Sequence, residues 1–422
     1  MTVKDRLKRA VAKAKTLPAK ARAARTNHQL RHRPTGLSFV LADAIGQLRP
    51  DHWDALTAQA SVCLSRPFLE CLEAAGPDNL KGHYALVYRG AEPVAAVACQ
   101  SVDVGAGDLP SRKEAPGRLK AARDKGLERV HARVLICGNL LGWGPQGVAF
   151  APGEDPAELW PAVAEALYRI RRADKLFGET GLVMIKDVLA SDDSAGEALR
   201  PFSYRPFDTE PNMVLPLKAE WGDFEGYLKA MKSDYRSGIK KQIRDVEAAG
   251  LTLERLDAAA VEREKAVLHG LYMQVHEKQK MRLVTISEAW IPTLAERFGK
   301  DFITTVIRGG DRRILGFITT LKDRDGAIGY YIGFDKAAAT GAPLYLRLLY
   351  ALVEDALSLG AAWASLGRTA LEPKAKLGAR PVPLRCHLRH RIPAMNAVVA
   401  ALLRAVPEPA QAPERKPFKG EA

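Results

Sequence analysis

Apolar and polar residues follow one another along the chain in two similar series of strands and helices. The first series opens with a hairpin pattern over 83–102, where two apolar strands flank a turn. An apolar stretch with several glycines follows over 133–150. An amphipathic helix over 155–174 and a buried strand over 181–188 complete the series.

The second series repeats this order. A hairpin pattern covers 302–323, and a strand pattern covers 327–335. A helix over 341–360 and a buried strand over 361–368 complete it. The repetition predicts an α/β (mixed α+β) fold with two tandem domains, each a mixed, mostly antiparallel sheet flanked by helices.

Both series end in a short segment in which an apolar residue, an arginine and a proline have the same spacing. The first ends on Phe202-x-x-Arg205-Pro206 and the second on Leu377-x-x-Arg380-Pro381. Between the series, residues 223–251 are predicted as one long helix or a broken pair, with an apolar stripe on one side and basic residues on another.

The length of 422 residues suits two domains. We divide the chain into a basic N-terminal arm (1–35), a first domain (36–218), a second domain (219–406) and a disordered tail (407–422). The tail prediction rests on its proline- and charge-rich composition.

Charge is concentrated in the arm. The chain has a net charge of +14, of which residues 1–34 contribute +10 through eleven Lys and Arg and one Asp. The arm is therefore a solvated basic tail, a helix that lies on an anionic membrane surface, or a nucleic-acid or targeting segment. The body carries an ordinary charge and is not typical of a nucleic-acid-binding protein.

The five cysteines are scattered and form no metal-ligand or disulfide pattern, which indicates a reducing compartment. No apolar run is long enough to cross a membrane. We expect a cytoplasmic protein, peripheral to the inner face of the membrane if the arm binds lipid.

Four segments carry a resemblance to a known family. They are "SRPFLECLE" (65–73), "YLKAMKSDYRSGIKKQIRDVEAAG" (227–250), "LYMQVHEKQK" (271–280), and the C-terminal unit that runs from "YYIGFD" to "KAKLGARP" (330–381). Together with the order of elements over most of 36–405, they resemble the Fem-type, FemAB-like branch of the GCN5-related N-acyltransferase (GNAT) superfamily.

The resemblance implies transfer of an acyl or aminoacyl group to an amine. The donor would be the thioester of acyl-CoA or acyl carrier protein, and the acceptor a small-molecule or lipid amine, as in bacterial ceramide synthases of the superfamily. The alternatives are a Fem-like transferase that uses aminoacyl-tRNA on peptidoglycan precursors, and a non-catalytic binding protein for lipid or cell-wall fragments. The usual glycine-rich phosphate loop is reduced here to "DKAAATGAP", so the donor stays open.

Candidate catalytic residues lie in the second domain, which we expect to be the active one. His276 suits a general base near neutral pH, Tyr331 a proton donor, and Asp335 a group that orients the amine. The alternative interpretation is that they have no catalytic role and are a surface histidine, a core aromatic residue and a turn aspartate.

Candidate binding residues surround them. Backbone groups at Thr340, Gly341 and Ala342, before a helix, would hold the phosphates of the donor. Side chains with a proposed substrate contact are Arg236, Lys240, Arg368, Thr369, Lys374 and Lys376.

Other motifs are weak. The sequence predicts no metal site, nucleophile elbow, Walker loop or Ser-His-Asp set. The glycine-rich segment 138–147 is interpreted as a turn or a pocket wall, because its spacing differs from the dinucleotide-binding fingerprint.

Overall fold

The structure, a computed structural model, describes residues 22, 25–27, 29–31, 33–104, 132–279, 282–404 and 408–420. The helix predicted in the arm and the basic stretch 109–130 lie outside these residues. The strands are β1 Ser38–Ala42, β2 Leu80–Arg89, β3 Glu92–Val104, β4 Ala132–Cys137, β5 Val148–Phe150, β6 Thr180–Leu189, β7 Arg205–Pro216, β8 Thr252–Leu256, β9 Phe302–Arg308, β10 Ile314–Asp323, β11 Gly326–Phe334, β12 Trp363–Ser365 and β13 Arg380–His390.

Helices cover both faces of the strands. They are α1 Pro50–Thr57, α2 Arg66–Ala75, α3 Pro156–Ala173, α4 Asp193–Leu199, α5 Phe224–Ala230, α6 Ser233–Ala248, α7 Ala258–Arg263, α8 Lys265–His276, α9 Trp290–Phe298, α10 Leu344–Ser358, α11 Leu371–Lys376 and α12 Met395–Leu403. The predicted mixed α/β architecture is confirmed, and we call β1–β7 with their helices the first half and β8–β13 with theirs the second half.

The strands of both halves form one continuous sheet. Its order is β1-β2-β3-β4-β6-β13-β7-β12-β11-β10-β9-β8, and β5 pairs with β3 outside this path. Most neighbours are antiparallel, whereas β4 with β6 and β11 with β12 are parallel. Each half therefore contributes one parallel pair near the centre of the sheet.

The two halves exchange their last strands. β13, the end of the second half, lies between β6 and β7 of the first half, and β7 pairs with β12 of the second half. Arg205 and Arg380, which close the two series in the sequence, are the first residues of the exchanged strands. Because β7 and β13 each complete the sheet of the other half, the domain boundary at 218/219 stays a prediction.

A hydrophobic core on one face of the sheet is shared by both halves. Phe68 of α2 is fully buried and lies edge-on to Trp290 of α9 (5.8 Å between ring centroids) and to Tyr330 of β11 (6.2 Å). Two other cores lie on the opposite face, one under α3 and one under α6 and α10. The halves are thus joined by side-chain packing as well as by the exchanged strands.

The segment 223–251 is a broken pair of helices, one of the two forms predicted. The chain is extended at Met231 and Lys232, between α5 and α6. Met231 forms a β-bridge with Phe418, and the Lys232 amide donates to the carbonyl of Pro417 (2.8 Å). The break therefore accommodates the C-terminal segment.

Part of the segment that we predicted to be a disordered tail, within residues 408–420, has defined contacts. The ring of Phe418 stacks on Trp221 (5.0 Å) and lies edge-on to Tyr227 (5.7 Å), and Arg415 forms an ion pair with Glu372 (2.7 Å). One aromatic anchor therefore orders a segment whose composition is otherwise typical of disorder.

The exchanged strand β13 generates a prediction through His387. This side chain is buried, and burial lowers its pKa to about 4. The unfolded chain, with a pKa of about 6.5, binds more protons between these values, so folding stability falls as pH decreases. We expect wild type to lose about 2 kcal/mol more than His387→Gln between pH 7 and pH 5.

Denaturant unfolding of both proteins at the two pH values measures this difference. Equal pH dependence in wild type and His387→Gln would contradict the prediction.

Candidate active site

A cleft of about 350 Å³ lies between the two halves, on the face of the sheet that carries the shared core. Its walls come from residues 56–61 and 143–150 of the first half and from the β10–β11 turn of the second half. Its floor is formed by Asn212 of β7, Ile328 of β11 and Ser365 of β12. The cleft therefore lies above the parallel strands of the second half.

The wall segment 138–147 is held by a network of buried amides. Gln100 donates to Asn139 (3.2 Å), Asn139 donates to Gln146 (3.1 Å), and Gln146 donates to the carbonyl of Trp143 (3.0 Å). Because each amide both donates and accepts, the segment has a single buried arrangement. Of the two interpretations of this glycine-rich stretch, the pocket wall fits the structure.

Trp143 connects the wall to the floor of the cleft. Its indole nitrogen donates to the hydroxyl of Ser365 (3.1 Å), which donates in turn to Asn212 (2.8 Å). A Cβ at Gly367 would lie 2.8 Å from the indole ring, so a residue with a side chain there would displace the tryptophan.

A buried charge cluster lies behind the wall. The carboxylate of Asp187 is fully buried and pairs with Lys186 and with Arg368 of the second half, and it accepts from the Gly144 amide (3.1 Å). Burial alone would raise the pKa of Asp187, but the two cations hold it below its usual value. Arg368 therefore acts across the two halves, as a counter-charge for Asp187.

The parallel strands β11 and β12 separate beside the cleft. Their last pair is Ile328 with Ser365, and β11 then continues to Phe334 without β12. The chain after β12 stays with β7, since Leu366 donates to Met213 (2.8 Å). This divergence exposes a stretch of β11 backbone at the gap between the two strands.

A β-bulge lies on β11 at this gap. Tyr330 and Tyr331 both stand opposite Thr319 of β10, and the Tyr331 amide donates to the Thr319 hydroxyl (2.9 Å). The bulge turns both tyrosine rings toward the shared core. Tyr330 is buried there, whereas Tyr331 is half-buried and its hydroxyl lies 3.5 Å from the carbonyl of Leu141 in the wall.

The corresponding gap in the first half is filled. β4 and β6 pair as far as Cys137 with Ile185, and the segment 138–147 then folds back into the space between them. A Cβ at Gly147 would lie 2.7 Å from the backbone nitrogen of Gly138, so the two backbones touch. The connection after β4 is therefore a folded segment, whereas the connection after β11 is the short turn to α10.

His276 and Tyr331 both contact the ring of Tyr272, which lies between them. Tyr272 stacks on His276 (4.9 Å) and lies edge-on to Tyr331 (5.5 Å). His276 is buried at the end of α8, and its Nε2 lies 3.0 Å from the Thr285 hydroxyl. Burial, reinforced by Arg282, lowers the pKa of His276, whereas burial raises that of Tyr331. Both side chains are therefore neutral at pH 7.

The segment between β11 and α10 is a tight turn. Asp335 caps it by accepting from the amides of Ala337 (2.8 Å) and Ala338 (3.1 Å). The amides of Thr340 and Gly341 donate to carbonyls within the turn, and Ala342 packs into the core under α10. Asp335 thus has a structural contact. The amide of Leu344, the first residue of α10, also donates to a carbonyl, that of Ala342 (2.8 Å).

The basic candidates are divided between two places. On α6, Arg236 donates to the Met231 carbonyl (3.3 Å) and Lys240 pairs with Glu225 (2.7 Å). After β12, Lys374 is only 3% exposed and its ammonium donates to the Arg368 carbonyl (2.5 Å). Burial lowers the pKa of Lys374 to about 7.

The other two candidates of this loop lie further out. Thr369 has a left-handed backbone (φ 61°), and Lys376 is exposed beside Glu372 (3.6 Å). Their substrate contacts stay predictions. The contacts of Arg368 and Lys374 favour a positioning role for these two side chains, because both groups are engaged inside the protein.

The sequence analysis missed Asp187, Trp143 and Ser365. Asp187 lies in "GLVMIKDV", which we interpreted as a buried strand without assigning a role to its charged residues. Its Lys-Asp pair was the available signal, since buried charges in strands need a partner. Trp143 and Ser365 gave no signal, because their contact joins residues far apart in sequence.

A hydrogen-bonded Ser-His-Asp set exists elsewhere, contrary to the sequence prediction. His83 lies 2.9 Å from Asp43 and 2.9 Å from the hydroxyl of Ser101. Ser101 is only 1% exposed, and Arg133 also contacts its hydroxyl (3.5 Å). A nucleophile needs access to its substrate, so we interpret this set as a structural network at the end of β2 and β3.

The described residues lack both a metal-ligand cluster and a membrane-spanning helix. They hold no group of three or more His, Cys, Asp or Glu residues with the geometry of a metal site. None of their helices has the length and apolar character to span a membrane.

Comparison with known proteins identifies the class. Residues 233–375 match the family model of the acetyltransferase (GNAT) domain. The fold resembles that of FemX, with a TM-score of 0.51 and 10% identity over 86% of this chain and 99% of FemX. The second half thus contains a GNAT domain, which supports acyl or aminoacyl transfer, and the chain shares its fold with FemX.

Two further solved structures are similar at lower scores. A tandem GNAT protein from the clavulanic acid biosynthesis pathway has a TM-score of 0.49 and 12% identity over 85% of this chain and 99% of its own. L-PGS from Bacillus licheniformis has a TM-score of 0.45 and 13% identity over 79% and 95%. No curated protein matches the sequence.

The Asp187 cluster generates a stability prediction. Asp187→Asn keeps the shape and tolerates the left-handed backbone at this position (φ 59°), but it leaves two partly buried cations without this counter-charge. We expect a loss of roughly 3–5 kcal/mol in the free energy of unfolding. Asp208→Asn, which breaks the exposed pair with Arg385 (2.7 Å), should cost less than about 1 kcal/mol.

The double variant Asp187→Asn/Arg368→Met tests whether the loss of stability comes from the ion pair between these two residues. If the charges interact, the double variant loses less stability than the sum of the single variants in denaturant unfolding. Additive losses, or an Asp187→Asn variant as stable as Asp208→Asn, would refute the assignment.

Proposed function

We propose that the protein is an N-acyltransferase that moves an acyl group from the thioester of CoA or acyl carrier protein to an amine, with a long-chain lipid amine as the favoured acceptor. The observation that carries this proposal is the divergence of β11 and β12 after Ile328 and Ser365, two residues that also line the cleft of about 350 Å³.

Donor and acceptor would approach from opposite faces. The first turn of α10 lies on the face of the α6–α10 core, and its free amides suit the phosphates of the donor. The cleft lies on the other face, where the acceptor amine would enter between the two halves. The thioester would then lie between the two strands, where the β11 backbone after Ile328 has no pairing partner in β12.

The reaction needs no covalent enzyme intermediate. The amine nitrogen attacks the thioester carbonyl, the C–S bond breaks, and the sulfur leaves as a thiol after it gains a proton. Tyr331, whose raised pKa keeps it protonated, is suited to supply that proton, and neutral His276 is suited to take the proton of the amine. Asp335 is assigned no chemical step, because its carboxylate caps the turn.

Neighbouring tyrosines provide a matched test of this assignment. Tyr331→Phe should lower kcat by roughly 10²-fold with a small change in KM, because it removes a proton donor but no binding contact. Tyr330→Phe should leave kcat near wild type, since its buried hydroxyl has no hydrogen-bond partner among the described residues. Equal activity of the two variants would remove Tyr331 from the mechanism.

The substrates are best tested in cells and with purified protein together. We expect cells without the gene to lose an N-acylated lipid and accumulate its free amine, as measured by mass spectrometry. Purified protein with acyl-CoA or acyl carrier protein and that amine should restore the product. Unchanged lipids with a changed muropeptide would contradict the acyltransferase proposal.

The muropeptide outcome would support the second candidate function. This is aminoacyl transfer from aminoacyl-tRNA to a peptidoglycan precursor, and the similarity to the FemX fold favours it. Binding of either ligand with no turnover would indicate a non-catalytic binding protein instead.

A further inference from the structure

Helix α12 is apolar around its whole circumference and yet largely exposed. Its nine residues, MNAVVAALL, include no charged side chain, and it buries only Asn396 and Val399 against the sheet. Val398 and Leu402 point to solvent, with 46% and 63% of their surface exposed. A helix without a polar face is normally covered, so α12 lacks part of its cover in the isolated chain.

A second exposed apolar group lies at the end of α3. Leu176 and Phe177 occupy the short 3-10 helix that follows α3, and they are 95% and 66% exposed. Tyr168, more than two turns earlier, is also exposed and is flanked by the guanidinium groups of Arg171 and Arg172. Such projecting Leu and Phe side chains are unusual for a surface that faces only water.

One residue connects the two apolar groups. Arg391, immediately before the turn into α12, pairs with Glu179 (2.6 Å), and its amide donates to the Gly181 carbonyl (2.9 Å). Glu179 is two residues from Phe177. The exposed tip after α3 and the exposed helix α12 therefore adjoin.

Arginines cluster between them. Burial, and then the positive charges of neighbouring arginines, lower the pKa of Arg171, and Arg389 is first among these neighbours. Arg389 also acts on Arg31 in the same direction. The members of this arginine cluster are Arg31, Arg171, Arg172, Arg389 and Arg391.

The cluster is poor in counter-charge. Within the described part of the chain, Arg391 is the one member with a carboxylate partner. Five guanidinium groups with a single carboxylate leave a strong positive potential beside an apolar surface.

We propose that this face, which comprises α12, the tip Leu176–Phe177 and the arginine cluster, docks onto an anionic lipid bilayer. Arginines next to exposed Leu, Val, Tyr and Phe side chains match both parts of such a surface, the anionic headgroups and the acyl chains beneath them. The face is separate from the basic arm 1–35. It also stands whether or not the acceptor of the enzyme is a lipid.

A second copy of the chain fits this face less well. A symmetric contact would place the arginine cluster of one copy against that of the other, and like charges in contact are unfavourable. A bilayer carries the opposite charge and adapts to the projecting tip. Charge complementarity therefore favours lipid as the occupant.

Flotation of the full-length protein with vesicles tests the proposal. We expect binding to phosphatidylcholine vesicles that contain phosphatidylglycerol, weaker binding to phosphatidylcholine alone, and further weakening by salt. Val398→Glu combined with Leu402→Glu should reduce binding at least roughly tenfold, because both apolar contacts are lost.

Matched controls separate this face from the rest of the surface. Val40→Glu changes a valine of equal exposure (46%) on the edge strand β1 and should bind as wild type does. Arg172→Glu should weaken binding, whereas Arg313→Glu, on the exposed β9–β10 turn, should not. The basic arm is present in every variant, so its contribution cancels.

Two results would overturn the proposal. One is that the α12 double variant binds phosphatidylglycerol vesicles as tightly as Val40→Glu does. The other is that light scattering shows a wild-type dimer without vesicles and a monomer for the double variant, which would assign the face to a second copy. Circular dichroism of each variant confirms that lost binding is not lost folding.

Discussion

The ladder between β7 and β13 fixes the arrangement of the whole molecule. β13 pairs with both β6 and β7, and β7 pairs with both β13 and β12, so each half closes its sheet with a strand of the other. If the halves separated, β6 and β12 would become exposed edges of a largely buried sheet. The exchange therefore makes the relative position of the halves a property of the fold, and the cleft between them has a fixed shape.

That constraint explains why residues of both halves can cooperate at one site. Asp187 lies on β6 and Arg368 follows β12, on either side of the exchanged pair, and their ion pair is buried. A buried pair of charges is tolerated only where its geometry is maintained, because either charge alone would be strongly unfavourable. Trp143 reaches Ser365 across the same boundary, and the position of the wall above the gap depends on both contacts.

Local patterns predicted the elements, and long-range contacts determined the rest. The amphipathic stretch 155–174 became α3 because one apolar face suffices to specify such a helix, and the helix predicted over 341–360 became the largely buried α10. The exchange of β7 and β13 was not predictable, because Pro211 and Pro383 argue against central strands. In the structure, both prolines lie at a bulge of the β7–β13 ladder. Tyr331 could be proposed from the sequence because it lies on a strand with a clear pattern, whereas the partner of Asp187 is a residue 181 positions away.

The two halves have the same order of elements but use their central gap differently, and the connecting segments account for this. In the first half, the segment after β4 contains four glycines between residues 138 and 147, and its backbone packs back into the gap. In the second half, the segment after β11 contains three consecutive alanines and one glycine, and it forms a compact turn capped by Asp335. The connection after β11 is thus a short capped turn, whereas the connection after β4 is a folded segment that supplies a wall of the cleft.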